Sequence, residues 1–97
     1  MAIVSYRDAA TADIAAGVNS KAARTIPKSV WKVARRKLDP LRTAASLNDL
    51  GLPGLRLEAL KGDRLGYYSI RVNDQYRVVF LFANGDASHV EVVDYHY

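Results

Sequence analysis

Two hairpins written into the last third of the chain constrain its fold more than any other feature. Around Asn73-Asp74-Gln75 the side chains alternate with period two. Tyr68, Ile70 and Val72 alternate with Ser69 and Arg71 before it, and Tyr76, Val78 and Phe80 alternate with Arg77, Val79 and Leu81 after it. A three-residue loop at Asn73-Asp74-Gln75 sets Arg71 opposite Arg77 and gathers the aromatic and aliphatic set on the other face, whereas a two-residue loop scatters the pattern. Ten residues later, Asn84-Gly85 is a strong type I′ turn signal, because both central positions of that turn need positive φ. A regular hairpin centred there predicts Val90, Val92, Asp94 and His96 on the Arg77 face, so that both arginines, Asp94 and His96 converge.

The rest of the chain supplies helices to cover the sheet. Residues 3–6 read as a short first strand and 11–16 as a short alanine-rich helix ended by Gly17-Val18-Asn19-Ser20. Pro27 opens the clearest helix, with Val30, Val33, Ala34, Leu38 and Leu41 at helical spacing. Pro40 conflicts with a straight helix and predicts either a kink or a new helix from Asp39-Pro40 to about Ala45. After a loop at Gly51-Leu52-Pro53-Gly54, four strands are predicted over residues 55–60, 66–72, 76–82 and 89–95. The expected class is α+β, with the N-terminal strand and helices on one face of a mostly antiparallel sheet and a site on the other.

Composition narrows the function. At 97 residues the chain is expected to form one domain, residues 1–97. A net charge of +4 favours an acidic partner such as nucleic acid, an anionic membrane or an acidic protein. The absence of cysteine removes disulfides, thiol catalysis and cysteine metal sites, and fits a reducing cytoplasm. No apolar run approaches the roughly 20 residues of a membrane span, and Arg7-Asp8 follows too short an apolar start for a signal peptide. No phosphate loop, nucleophile elbow, zinc pattern or calcium loop is present, so neither a cofactor nor a metal is expected.

Taken singly, the polar residues have ordinary explanations beside functional ones. Arg71 and Arg77 suit phosphate, whose oxygens match the guanidinium fork, and two arginines facing each other repel unless an anion lies between them. Their plain alternative is solubilising charge. Lys61 sits in a polar turn, Leu60-Lys61-Gly62-Asp63-Arg64, and Glu58 and Asp94 are isolated acids without metal-like spacing. His96 is the usual kind of acid or base near neutral pH, although a histidine next to a C-terminus is most often a surface residue. His89 is assigned no role. The run Lys32, Arg35, Arg36 and Lys37 is a solvated helix face by default and a nucleic-acid patch as the alternative.

Together the motifs carry a family signature. Residues 56–64 (Arg-Leu-Glu-Ala-Leu-Lys-Gly-Asp-Arg), 66–77 and 90–96 (Val-Glu-Val-Val-Asp-Tyr-His) resemble, in order and spacing, the HigB toxins of the RelE/ParE superfamily of toxin–antitoxin systems. The resemblance implies a microbial-RNase-type fold and a ribosome-dependent endoribonuclease that cuts message in the ribosomal A site. It implies attack of the 2′-hydroxyl on the adjacent phosphate without a metal. It also implies a cognate HigA-like helix-turn-helix antitoxin, and the ribosome and mRNA as partners. By residue match, Lys61, Arg71, Arg77, Asp94, Tyr95 and His96 inherit site roles. The family's pattern has a histidine where Glu58 stands, so Glu58 or Asp94 is a candidate base, or His96 is the base with a cation offsetting charge on the leaving oxygen. Tyr68 or Tyr95 is expected to stack on a base. Two other readings stand beside this one: a ParE-like toxin directed at DNA gyrase, and a non-catalytic nucleic-acid-binding module.

Overall fold

The computed structural model describes residues 2–95. Four antiparallel strands, β1 (Glu58–Ala59), β2 (Tyr68–Arg71), β3 (Tyr76–Ala83) and β4 (Asp86–Asp94), lie in sequence order. Two helices, α1 (Ala9–Ala16) and α2 (Lys28–Thr43), cover one face. The α+β architecture is therefore the one the sequence predicts. The core between helices and sheet contains Ile14, Val30, Ala34, Leu38 and Leu41 from the helices and Ile70, Val78, Phe80, Val90 and Val92 from the strands. Fully burying each such aliphatic side chain contributes roughly 1.5–3 kcal/mol.

Several expected elements are altered by their neighbours. Residues 3–6 form no strand of the sheet. They touch β4 at two isolated parallel bridges, Ile3 with Ala87 and Tyr6 with Val90. The ladder fails between them because His89 stands there in a left-handed conformation (φ 52°) and donates its N–H to Ser5 Oγ at 2.8 Å. α2 runs through Pro40 as one helix rather than ending or restarting there. Pro40 lies in the last turn, where it deletes a single backbone bond, while fully buried Leu38 and Leu41 hold the chain on either side. The strand expected over residues 55–60 shrinks to Glu58–Ala59. Leu55 closes a 3-10 turn over Pro53–Leu55, and Arg56 then turns left-handed at φ 47°. β4 in turn begins three residues before the expected start, directly after its turn.

Both hairpin turns form as the side chains dictate. Asn73 Oδ1 accepts from the N–H of Gln75 (2.9 Å) and of Tyr76 (2.7 Å), closing the three-residue loop and pairing Arg71 with Arg77. Asn84 and Gly85 have φ of 53° and 81°, as a type I′ turn requires. The register beyond that second turn departs from a regular hairpin. Leu81 pairs with Ser88, but Val79 pairs with Glu91, so β4 carries one extra residue between them. That residue is His89. The bulge turns Glu91 and Val93 onto the Arg77 face and Val90, Val92 and Asp94 onto the other, the reverse of the predicted order. His89→Gly is accordingly expected to leave stability within about 1 kcal/mol of wild type, and His89→Val to lower it by about 1–2 kcal/mol, because a β-branched residue resists positive φ. Chemical denaturation of both variants measures this.

Candidate active site

The second face of the sheet is where the polar residues gather. Glu58 from β1, Arg71 from β2, Arg77 from β3 and Tyr95 just past β4 border a common cavity of about 560 Å³, together with Arg56, Asn73 and Asp74. Strand order accounts for this. Glu58 pairs with Ser69, Arg71 with Arg77, and Arg77 with Val93, so alternation places Glu58, Arg71 and Arg77 on one surface. Three arginines against Glu58 and Asp74 leave the cavity with a net positive charge suited to phosphate.

Arg77 is not on an exposed surface, as the alternation alone implies. Its side chain is 5% exposed. It lies beneath the cavity because Ser69, Arg56 and Glu58 close around the guanidinium. Nε donates to Ser69 Oγ at 2.7 Å, Nη2 donates to the carbonyls of Arg56 (2.5 Å) and Ser69 (3.3 Å), and Nη1 pairs with Glu58 Oε1 at 3.6 Å. Arg77 therefore holds the left-handed Arg56 backbone in place and orients the Glu58 carboxylate at the rim. Arg71 is opposite in character. Its Nη2 pairs with Asp74 Oδ1, and Asp74 is 98% exposed. Exposed pairs are worth about 0–1 kcal/mol, so a phosphate can replace Asp74 at little cost. The expected repulsion between the two facing arginines is thus relieved from within, each having its own carboxylate, with no anion required.

The remaining predicted residues divide. Tyr95 lies at the cavity, its N–H bonded to the Gln75 carbonyl at 2.7 Å. Asp94 does not line it. The bulge places Asp94 opposite Tyr76, where Oδ2 accepts from Gln75 Nε2 at 3.0 Å. Lys61 is exposed on the turn after β1 and is also absent from the cavity lining. Tyr68 belongs to the core side, its ring centroid 6.3 Å from that of Phe80, and so is not available to stack on a base over the cavity. His96 lies outside the described residues. Sequence reasoning missed Arg56, Asn73, Asp74 and Ser69. An Asn-Asp turn next to an arginine was the available signal for two of them, and nothing local marked the other two.

Comparison with known proteins identifies the family. Residues 18–96 match the model of the HigB-like toxins, described as the RelE-like toxin of the type II toxin–antitoxin system HigB. The chain belongs to the HigB-like toxin family. Over 70 residues it is 43% identical to Toxin HigB-1 of Vibrio cholerae, covering 71% of this chain and 74% of that protein. Over 60 residues it is 42% identical to Endoribonuclease HigB of Proteus vulgaris, covering 62% of this chain and 65% of that one. In overall fold it is similar to a chain of the YoeB–YefM complex of Staphylococcus aureus, with a TM-score of 0.60, full coverage of both chains and 21% identity. In this HigB-like toxin, no helix among the described residues is long and apolar enough to cross a membrane.

Proposed function

We propose that this HigB-like toxin is a metal-independent endoribonuclease that cuts messenger RNA in the ribosomal A site, in the cytoplasm, and is held in check by a HigA-like helix-turn-helix antitoxin. The observation that carries the reading is the convergence of Glu58, Arg71, Arg77 and Tyr95 on one positively charged cavity. The endoribonuclease name of the Proteus vulgaris relative supports the activity, and the toxin–antitoxin complex of similar fold supports an antitoxin partner.

The reaction is an in-line transfer. The ribose 2′-oxygen loses its proton to a base and bonds to phosphorus. The bond to the 5′-oxygen breaks, that oxygen takes a proton from an acid, and a 2′,3′-cyclic phosphate remains. Glu58 is the base candidate that the cavity geometry favours, since its half-exposed carboxylate borders the cavity beside Arg77. His96 is assigned the proton delivered to the leaving oxygen. Arg71, with Arg56 beside it at the cavity, offsets charge on the five-coordinate phosphorus, where an oriented donor is worth on the order of 10²–10³ in rate. Lys61, outside the cavity lining, is assigned a supporting cationic role by its match to the family motif. Tyr95 offers a ring to the base beside the cut.

Expressed alone, the chain is expected to arrest bacterial growth, and the purified protein to cut message on programmed ribosomes. Protein stripped with a chelator and then returned to ribosomes should cut at an unchanged rate. Equal cutting of naked RNA would end the ribosome-dependent reading. Growth arrest with intact message and inhibited gyrase would favour the gyrase-directed alternative.

A further inference from the structure

Residues 60–67 join β1 to β2. Leu60 and Tyr67 extend the β1–β2 ladder by one backbone bond (2.9 Å), and beyond it the Arg64 side chain extends across the second face. Leu60 and Val79 are buried yet stand apart from the main core, as expected if this connection roofs the centre of that face. Arg64, from the 3-10 turn over Gly62–Arg64, reaches as far as β4, two strands beyond β2, where its Nη1 donates to Glu91 Oε1 at 3.2 Å. Arg7, whose N–H is tied to the Val90 carbonyl at 2.9 Å, approaches the same oxygen with Nε at 3.7 Å. Glu91 faces this surface only because of the His89 bulge.

We infer that Glu91, with Arg64 and Arg7, is a clamp that holds the 60–67 connection over the sheet and thereby positions Lys61 for the reaction. The inference rests on the nuclease reading above. Three features support it. Lys61 caps the start of the Gly62–Arg64 turn, and its carbonyl accepts the Arg64 N–H at 3.2 Å, so the residue that grips Glu91 is bonded directly to the one that carries the cation. Within the connection the backbone bonds Leu60 to Tyr67, Leu65 to Gly62 and Tyr67 to Arg64, and Leu60 is buried, while Asp63 and Leu65 are exposed, so the Arg64–Glu91 pair is the side-chain tie from the Gly62–Arg64 turn to β4. The Glu91 carboxyl is 18% exposed, so it is more shielded from solvent and salt than the surface pairs elsewhere on the chain. Glu91 touches no reacting atom in this scheme. It is a positioning residue, and a displacement of about 1 Å at a reacting group costs on the order of a hundredfold in rate.

The test uses Glu91→Gln and Arg64→Leu. Each is expected to lower single-turnover cleavage on programmed ribosomes by about tenfold, part of the full cost of misplacement, with ribosome affinity unchanged. Arg64→Lys should recover most of the Arg64→Leu loss, since it restores a cation to Glu91. The deciding measurement is the combination with Lys61→Ala. If the clamp acts through Lys61, Glu91→Gln lowers the residual rate of Lys61→Ala no further. Multiplicative losses, or a wild-type rate in Glu91→Gln, overturn the inference. Amide hydrogen exchange reads the clamp without reference to cleavage: residues 61–66 should exchange faster in Glu91→Gln, and unchanged exchange there overturns it as well. Should the unaltered chain cut nothing on ribosomes, the nuclease reading falls, while the exchange experiment still reports whether the clamp exists.

Discussion

Arg77→Ala is expected to abolish cleavage and also to weaken the fold, whereas Arg71→Ala should affect cleavage alone. The contrast comes from burial. Arg77 is enclosed and makes bonds to Ser69 Oγ, the carbonyls of Ser69 and Arg56, and the Glu58 carboxylate. Truncation leaves the Ser69 hydroxyl and the Arg56 carbonyl without this donor and removes the Arg77–Glu58 ion pair. Leaving buried acceptors such as these without a donor costs about 1–3 kcal/mol each, while the half-exposed Glu58 carboxylate is hydrated by water. For a domain of this size each kcal/mol corresponds to about 4–8 °C in Tm, so thermal unfolding should show the loss clearly. Cleavage by the folded fraction should fall at least a hundredfold, since both the orientation of Glu58 and a donor's worth of charge at the phosphate are lost. Arg77→Lys should restore charge but not the fork that bonds Ser69 and Arg56 together, and so should recover little of either. Arg71→Ala gives up only an exposed pair with Asp74 and should melt near the wild-type temperature. Full activity and unchanged stability in Arg77→Ala would remove this residue from both roles.

Deleting His96 and Tyr97 is expected to lower cleavage by about a hundredfold or more, within the usual range for removing an acid–base group. The motive is chemical. Among the residues assigned to the site, His96 is the histidine, and the 5′-oxygen requires a proton as it leaves. Glu58→Gln tests the complementary half. As the base, Glu58 should be nearly as damaging to lose as His96, and the two losses combined should be far less than multiplicative, because acid and base act in one transition state. If Glu58 serves only to neutralise Arg77, the glutamine variant should keep most of its activity. The two variants and their combination, measured in single turnover on ribosome-bound message with folding checked by circular dichroism, separate these cases. A truncated protein that cuts at the wild-type rate would exclude His96 from the chemistry.

Much of the architecture is written locally, and the rest is not. Asn73 and Asn84-Gly85 specify their turns through their own side chains and backbone preferences, so the Arg71–Arg77 pairing is legible without any tertiary information. The spacing of Val30, Ala34, Leu38 and Leu41 specifies the helix face in the same way, and the family signature is carried by short ordered motifs. Two decisive facts are absent from any local pattern. The first is the bulge at His89. A single residue in a left-handed conformation, held by Ser5 from the far end of the chain, inverts the facing of everything after it on β4. Period-two reasoning cannot find it, because the shift changes no residue's propensity and depends on a contact 84 positions away. The second is the burial of Arg77. Alternation assigned the correct face, but whether that face is open depends on where the chain runs next, and here the Arg56 carbonyl, Glu58 and Ser69 close around the guanidinium. Backbone and side-chain preferences along the chain thus determined the helices, the turns and the pairing of β2 with β3. Packing between residues distant in sequence decided which polar groups meet at the cavity and which of them lie beneath it.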